Sequence, residues 1–203
     1  MSRIDIRPRK APRQARSQAT VDAILAAATR VLSRESLAGF NTNRVAEVAG
    51  VSVGSLYQYF PNKAALVVAL IDRDHAALAQ ALEALLASPA QVSLHNMLQA
   101  LARLLIDQQY GDPVYAAAID HEERRLPTDA HTHQADLRFA AVTQALIARH
   151  RSEISRTLPA SAPQDLLVIA RAIVEADSQS VRRPPTDLQP RIVRALKGYL
   201  TLK

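Results

Sequence analysis

The side chains best placed to do chemistry lie in one stretch from Thr42 to Phe60, TNRVAEVAGVSVGSLYQYF. Its pattern is that of two short helices joined by a tight, glycine-containing turn, the arrangement in which the second helix enters the major groove of DNA. Ala46 is small enough for a close helix crossing and Gly50 permits the turn. Val45, Val51 and Leu56 supply a shared core, with Phe60 beside them. The polar groups left over, Ser55, Gln58 and the hydroxyls of Tyr57 and Tyr59, fall where a DNA-facing surface would lie. Ordinary packing with an exposed hydroxyl is the competing reading for both tyrosines.

Bond-making chemistry has little footing. The sequence has no Gly-rich phosphate loop, nucleophile elbow or His-Glu-x-x-His pattern, so no catalytic residues are expected. It contains no cysteine, which excludes disulfides, thiol redox sensing, cysteine zinc sites and cysteine nucleophiles. His121 sits in the charged run Asp120-His121-Glu122-Glu123-Arg124-Arg125, with His131 and His133 just beyond. No pair of these histidines has the four-residue spacing that puts two ligands on one helical face, so a solvated, ion-paired surface is expected and no metal or cofactor.

The charge is polarised along the chain. Residues 1–63 carry ten basic and four acidic side chains, whereas the remaining residues carry fifteen of each. The entire net charge of +6 therefore lies in the first third. A basic head on a neutral body points to one polyanion-binding module, double-stranded DNA being the expected partner. A membrane surface is the weaker alternative, because Pro8 and Pro12 and the lack of large apolar residues after Ile6 make a poor amphipathic anchor. The longest wholly apolar run, Ala64–Ile71, is eight residues, too short to span a bilayer. The basic N-terminal segment also lacks the apolar stretch of a signal peptide. A soluble, cytoplasmic protein is the expectation.

The elements that must position these groups are all helical. Of 203 residues 48% are hydrophobic, aromatics make up only 4%, and strand-forming runs are scarce. After a flexible basic arm (1–16), Val21, Ile24, Leu25, Ala28, Val31 and Leu32 form one helical stripe, with Ser17 as its expected N-cap. Asn41 or Thr42 can cap the second helix, Gly50 closes it, Ser52 caps the third, and Phe60-Pro61 ends that one. Asn62 caps a long fourth helix. Further breaks at Ser88-Pro89, Gly111-Asp112-Pro113, Pro127, Pro159 with Pro163, and Pro184-Pro185 leave about nine helices in an all-α chain. The reading divides it into the arm, a helix-turn-helix domain over 17–63 and a helical body over 64–203.

The basic arm, the Ile/Leu/Ala-rich first helix, Thr42 and AGVSVGSLYQYFPNKAAL at 49–66 together resemble the TetR family of transcriptional regulators. The close resemblance covers roughly residues 17–70; beyond them only length and helical pattern correspond. It implies that Thr42, at the start of the second helix, contacts phosphate through its hydroxyl and backbone amide. Val53, Gly54, Ser55, Tyr57, Gln58 and Tyr59 would form the recognition surface, with Gly54 allowing close backbone approach. Gln58 is the candidate base reader, since a carboxamide can pair two ways with adenine. Arg44 and Lys63 are the basic candidates of the head, Lys63 for a phosphate. Two positions depart from the family's habit: Val53 is often polar or basic there, and Tyr59 is frequently His.

The same resemblance implies a homodimer on a palindromic operator with half-sites about one DNA turn apart, and release by an unidentified small-molecule effector. Leu78, Leu82, Met97, Leu101, Leu104 and Tyr115 are the candidates for an effector pocket, against the bland alternative that each is core. Leu166, Ile169, Ile173, Ile192, Leu196 and Leu200 on the last two helices are the candidates for the dimer interface. Repression is the favoured direction. An activator, or a protein-interaction module or antiactivator that kept the fold without operator binding, are the alternatives.

Overall fold

The computed structural model describes residues 15–87, 92–125, 132–154, 157–178 and 183–201. The expected arm, apart from the backbone of its last two residues, and the breaks at Pro89 and Pro127 lie outside them. Among the described residues nine α-helices follow one another: α1 Ala15–Gly39, α2 Thr42–Ala49, α3 Val53–Tyr59, α4 Lys63–Leu86, α5 Leu94–Gly111, α6 Pro113–Glu123, α7 Thr132–Arg149, α8 Ala162–Ser178 and α9 Leu188–Thr201. Ser17, expected to cap α1, lies inside it. No helix among the described residues is long and apolar enough to cross a membrane.

By packing, the described residues divide into two compact units, those up to Asp74 with 114–125, and those over 75–113 with the ones from Thr132 on. The division falls inside the continuous helix α4. Its physical basis in the first unit is one apolar core. Ile24, Ala28 and Leu32 of α1, Val45 and Ala46 of α2 and Leu56 of α3 pack with Leu66, Leu70 and Ile71 of α4 and with Ala118 and Ile119 of α6. Residue 63 begins α4, yet the first turns of that helix and all of α6 beyond Pro113 pack as parts of this unit.

A polar cluster reinforces α6 there. The Tyr115 hydroxyl donates to Asp74 Oδ2 at 2.6 Å, while Arg73 Nη2 donates to the Tyr115 oxygen at 3.2 Å, to Thr29 Oγ1 at 3.0 Å and to Asp74 Oδ1 at 3.0 Å. Burial first, and the Asp74 charge second, push the Tyr115 phenol above its ordinary pKa, so it remains a donor.

The second unit has its own core. Leu78, Ala79 and Leu82 of α4 join Met97, Leu98 and Leu101 of α5, Phe139, Val142 and Leu146 of α7, Leu166 and Ala170 of α8, and Ile192 and Leu196 of α9. The end of α7 and the residues after it serve two helix termini. Arg149 Nη1 donates to Leu86 O at 2.7 Å, supplying a cation to the C-terminal carbonyls of α4. The Glu153 carboxylate accepts the Leu94 amide at 3.1 and 3.2 Å, capping the N-terminus of α5 together with Ser93. His150, 3% exposed, places Nδ1 2.7 Å from Glu153 Oε1. This hydrogen bond first, and the Leu94 amide as a weaker contribution, hold Glu153 below its ordinary pKa against the opposing effect of burial.

Candidate nucleic-acid interface

The turn between α2 and α3 follows from its residues. Asn41 is extended (φ −145°, ψ 160°) and its side-chain oxygen accepts the Arg44 amide at 2.9 Å, capping α2. At the other end Gly50 has φ 68°, a left-handed conformation with little cost only for glycine. Its amide donates to Glu47 O at 3.2 Å and the Val51 amide to Ala46 O at 3.1 Å, the two crossed bonds of a Schellman closure. Ser52 then caps α3, accepting the Ser55 amide at 3.0 Å. Phe60, held extended before Pro61 (φ −121°, ψ 103°), stops it after seven residues. Asn62 restarts the chain by accepting the Ala65 amide at 2.8 Å.

These caps fix the phase of α3. Leu56 is fully buried, with Phe60 at 2% exposure one turn later, so the opposite side faces outward. Val53 and Tyr57 are each 39% exposed and lie four residues apart on that side, with Gly54 and Gln58 exposed next to them. A Cβ added to Gly54 would meet only Ser52 Oγ at 3.9 Å. Among the described residues no contact calls for glycine there, and its missing side chain leaves open space on the outward face. Thr42 Oγ1 lies 3.0 Å from the Tyr57 hydroxyl, joining the start of α2 to the exposed face of α3. Lys63, the first residue of α4, carries its ammonium 5.3 Å from the ring centre of the buried Phe40, a cation–π placement.

Three expected members of the surface are placed differently. Tyr59 is 8% exposed and packs in the core. It follows Leu56 by three residues, a helical spacing that puts both on one side, and that signal was present in the sequence. Ser55 is half-buried, its hydroxyl 2.7 Å from Ser52 Oγ, so it belongs first to the capping pair. Arg44 donates to Glu35 at 2.8 Å and pairs with Glu47 at 2.9 Å. The hydrogen bond that Arg44 donates to Glu35, then that to Glu47, raises its pKa further, and its charge is largely answered within the protein. Glu35 carries no signal toward Arg44 in the sequence, because the two lie nine residues apart on different helices. It also flanks a distorted stretch of α1, where Ser36 adopts φ 55°, ψ −169°.

Of the pocket candidates, Leu78, Leu82, Met97 and Leu101 are at most 5% exposed and share one core, with Leu104 partly buried against it. Tyr115 belongs instead to the unit of the helix-turn-helix, bound to Asp74 and Arg73. Of the interface candidates, Leu166, Ile192, Leu196 and Leu200 are 0% exposed within the single chain, with Ile169 and Ile173 partly buried on the same core. A side chain with no exposed surface has none to give to a second copy, so those four are core residues. His121 Nε2 lies 3.2 Å from Arg125 Nη1, and the side chains of His131 and His133 lie outside the described residues.

Residues 24–70 match the family described as "Bacterial regulatory proteins, tetR family". Over 75 residues the chain is 37% identical to the HTH-type transcriptional regulator EthR of Mycobacterium tuberculosis (strain ATCC 25618 / H37Rv), a match spanning 37% of this chain and 35% of that relative. The match thus spans about a third of the length of that curated relative. The fold extends further. A TetR transcriptional regulator from Rhodococcus sp. RHA1 superimposes with a TM-score of 0.67 at 20% identity, over 92% of this chain and 98% of that one. The TetR-like regulator LfrR from Mycobacterium smegmatis, solved in complex with proflavine, does so with a TM-score of 0.65 at 20% identity, over 94% and 100%. The helix-turn-helix region, residues 24–70, thus matches the TetR family of bacterial regulatory proteins in sequence, and the helices of the described residues share the fold of TetR regulators over most of the chain.

Proposed function

We propose that this chain is a TetR-family transcriptional repressor that binds a palindromic DNA operator as a homodimer and leaves it when a small molecule binds. The observation that carries DNA binding is the outward row on α3, Val53, Gly54, Tyr57 and Gln58, with Thr42 bonded to Tyr57 and Lys63 at the start of the next helix, in the part of the chain that holds the whole positive excess. Thr42, Tyr57 and Lys63 hold phosphates and fix the register, while Gln58 reads a base edge and Val53 packs near it.

Dimerisation is supported by an exposed stripe on α8, where Val168 is 64% exposed and Ala172 and Ala176 follow at four-residue intervals. This stripe takes the interface role first expected of the buried leucines and isoleucines, and a two-fold pairing through it presents two recognition helices to two half-sites. The effector binds among α4, α5 and α7, around Leu78, Leu82, Met97 and Leu101. LfrR, solved with proflavine, lends the small-molecule reading its precedent in this fold. Helix α4 contributes its first half to one unit and its second half to the other, and transmits the change by altering half-site spacing. The shift is no larger than the effector's differential affinity for the two conformers.

The test is to select bound DNA from random fragments with the full chain, then to screen compounds for release of that complex. A salt-sensitive complex on one palindrome, released by a compound, is the expected result. Failure to select any sequence would sink the operator reading in favour of a protein-interaction role.

A further inference from the structure

A groove of about 320 Å³ opens along α5 and α9, lined by His95 and Gln99 of the first and by Pro190, Val193, Arg194 and Lys197 of the second. The spacings place each set on one face of its helix. Val193, 5% exposed, forms an apolar floor, while Arg194 and Lys197 stand exposed one turn apart. Across the groove Gln189 donates to Gln99 O at 3.1 Å, tying the two helices together.

The charge in the groove has one sign. No lining residue is acidic, and neither Arg194 nor Lys197 forms an ion pair among the described residues. The carboxylate that feels Lys197, Glu153, is already engaged by the Leu94 amide and His150. His95 stands in the first turn of α5, at the positive end of that helix's dipole. The volume sits at the lower end of the roughly 300–1,000 Å³ typical of small-molecule sites.

We propose that this groove is a binding site for a small organic anion, a carboxylate or phosphate head on a compact apolar body. The head pairs with the Arg194 guanidinium and the Lys197 ammonium. The body lies on Val193, Pro190 and the methylene stems of the charged side chains. The site lies apart from the α4–α5–α7 core assigned to the effector and does not rest on operator binding.

Calorimetric titration of the full chain with benzoate, phenyl phosphate and benzylamine tests it. Saturable binding of either anion, with none for the amine, is the expected result; the anion that binds identifies the head group. Arg194→Gln combined with Lys197→Gln lowers that affinity at least tenfold, and Lys197→Arg retains it. Gln99→Trp, which fills the groove, abolishes binding without lowering the melting temperature. The proposal is overturned by no saturable binding of either anion, by benzylamine binding as tightly, or by wild-type anion affinity in the double variant. Selected-operator affinity measured on the same variants reports separately on DNA binding.

Discussion

Thr42 Oγ1 and the Tyr57 hydroxyl lie 3.0 Å apart, so the first residue of α2 and the exposed face of α3 are joined by one hydrogen bond across the turn. Two groups proposed to meet DNA phosphate are thereby held in a fixed relation before DNA arrives. Preorganisation of this kind lowers the ordering cost of binding.

Tyr57→Phe and Thr42→Val each break that bond and remove one phosphate partner. Each is expected to weaken binding to the selected operator and to unrelated DNA alike, by roughly fivefold for about 1 kcal/mol. Fluorescence anisotropy on both DNAs measures this. The double variant should lose less than the sum of the two, because the residues share an interaction.

Gln58 is exposed on the outward face of α3. Gln58→Ala should remove preference at one base pair per half-site, about 1–3 kcal/mol of discrimination, and leave other positions intact. Affinities across a panel of single-base operator variants decide it; an equal loss on every sequence would count against base reading.

Lys63, the first residue of α4, carries its ammonium 5.3 Å from the centre of the Phe40 ring. Lys63→Ala should lower the slope of log affinity against log salt by about one unit, with operator and non-operator DNA affected equally. A titration series between low and moderate salt reads the slope directly.

Ser36 has φ 55° and ψ −169°, a region that side chains with a Cβ occupy at a cost of about 1–3 kcal/mol. Ser36→Gly should therefore stabilise the protein by about 1 kcal/mol, raising the melting temperature by roughly 2–4 °C. Differential scanning calorimetry checks the sign; a lower melting temperature would mean that the serine side chain contributes more than its backbone costs.

Glu153 has a folded pKa below its ordinary 4.5, chiefly through its hydrogen bond with His150. A depressed carboxylate binds fewer protons in the folded state than in the unfolded one, so its contribution is present above the unfolded value and is lost as pH falls through the folded one. The melting-temperature difference between wild type and Glu153→Gln should be constant near neutral pH and shrink once the pH drops below about 4.5. Because Glu153 is 44% exposed, the effect should be small.

Much of the head is legible in the sequence because its signals are local. Asn41, Gly50, Ser52 and Asn62 act through bonds to amides or carbonyls within five residues, and Phe60 is constrained by the proline next to it. Residue type at one position settles such geometry. Tyr57 and Tyr59 mark the edge of that legibility: identical side chains two residues apart on a short helix point to different sides, and only the position of Leu56 distinguishes them. The three-residue spacing from Leu56 to Tyr59 is the feature that places Tyr59 on the buried side.

The amino-acid sequence settled the all-helical class and the helix-turn-helix at 42–60, because periodicity and caps are properties of neighbouring residues. Tertiary structure alone decided that α6 packs with the helix-turn-helix, since Tyr115, Asp74, Arg73 and Thr29 meet across more than forty residues of chain. It also turned Leu166, Ile192, Leu196 and Leu200 inward. An apolar stripe on a helix states that one face must be covered, but not whether its own chain or a second copy covers it. That choice depends on which surfaces the fold brings together, and no single helix contains the information.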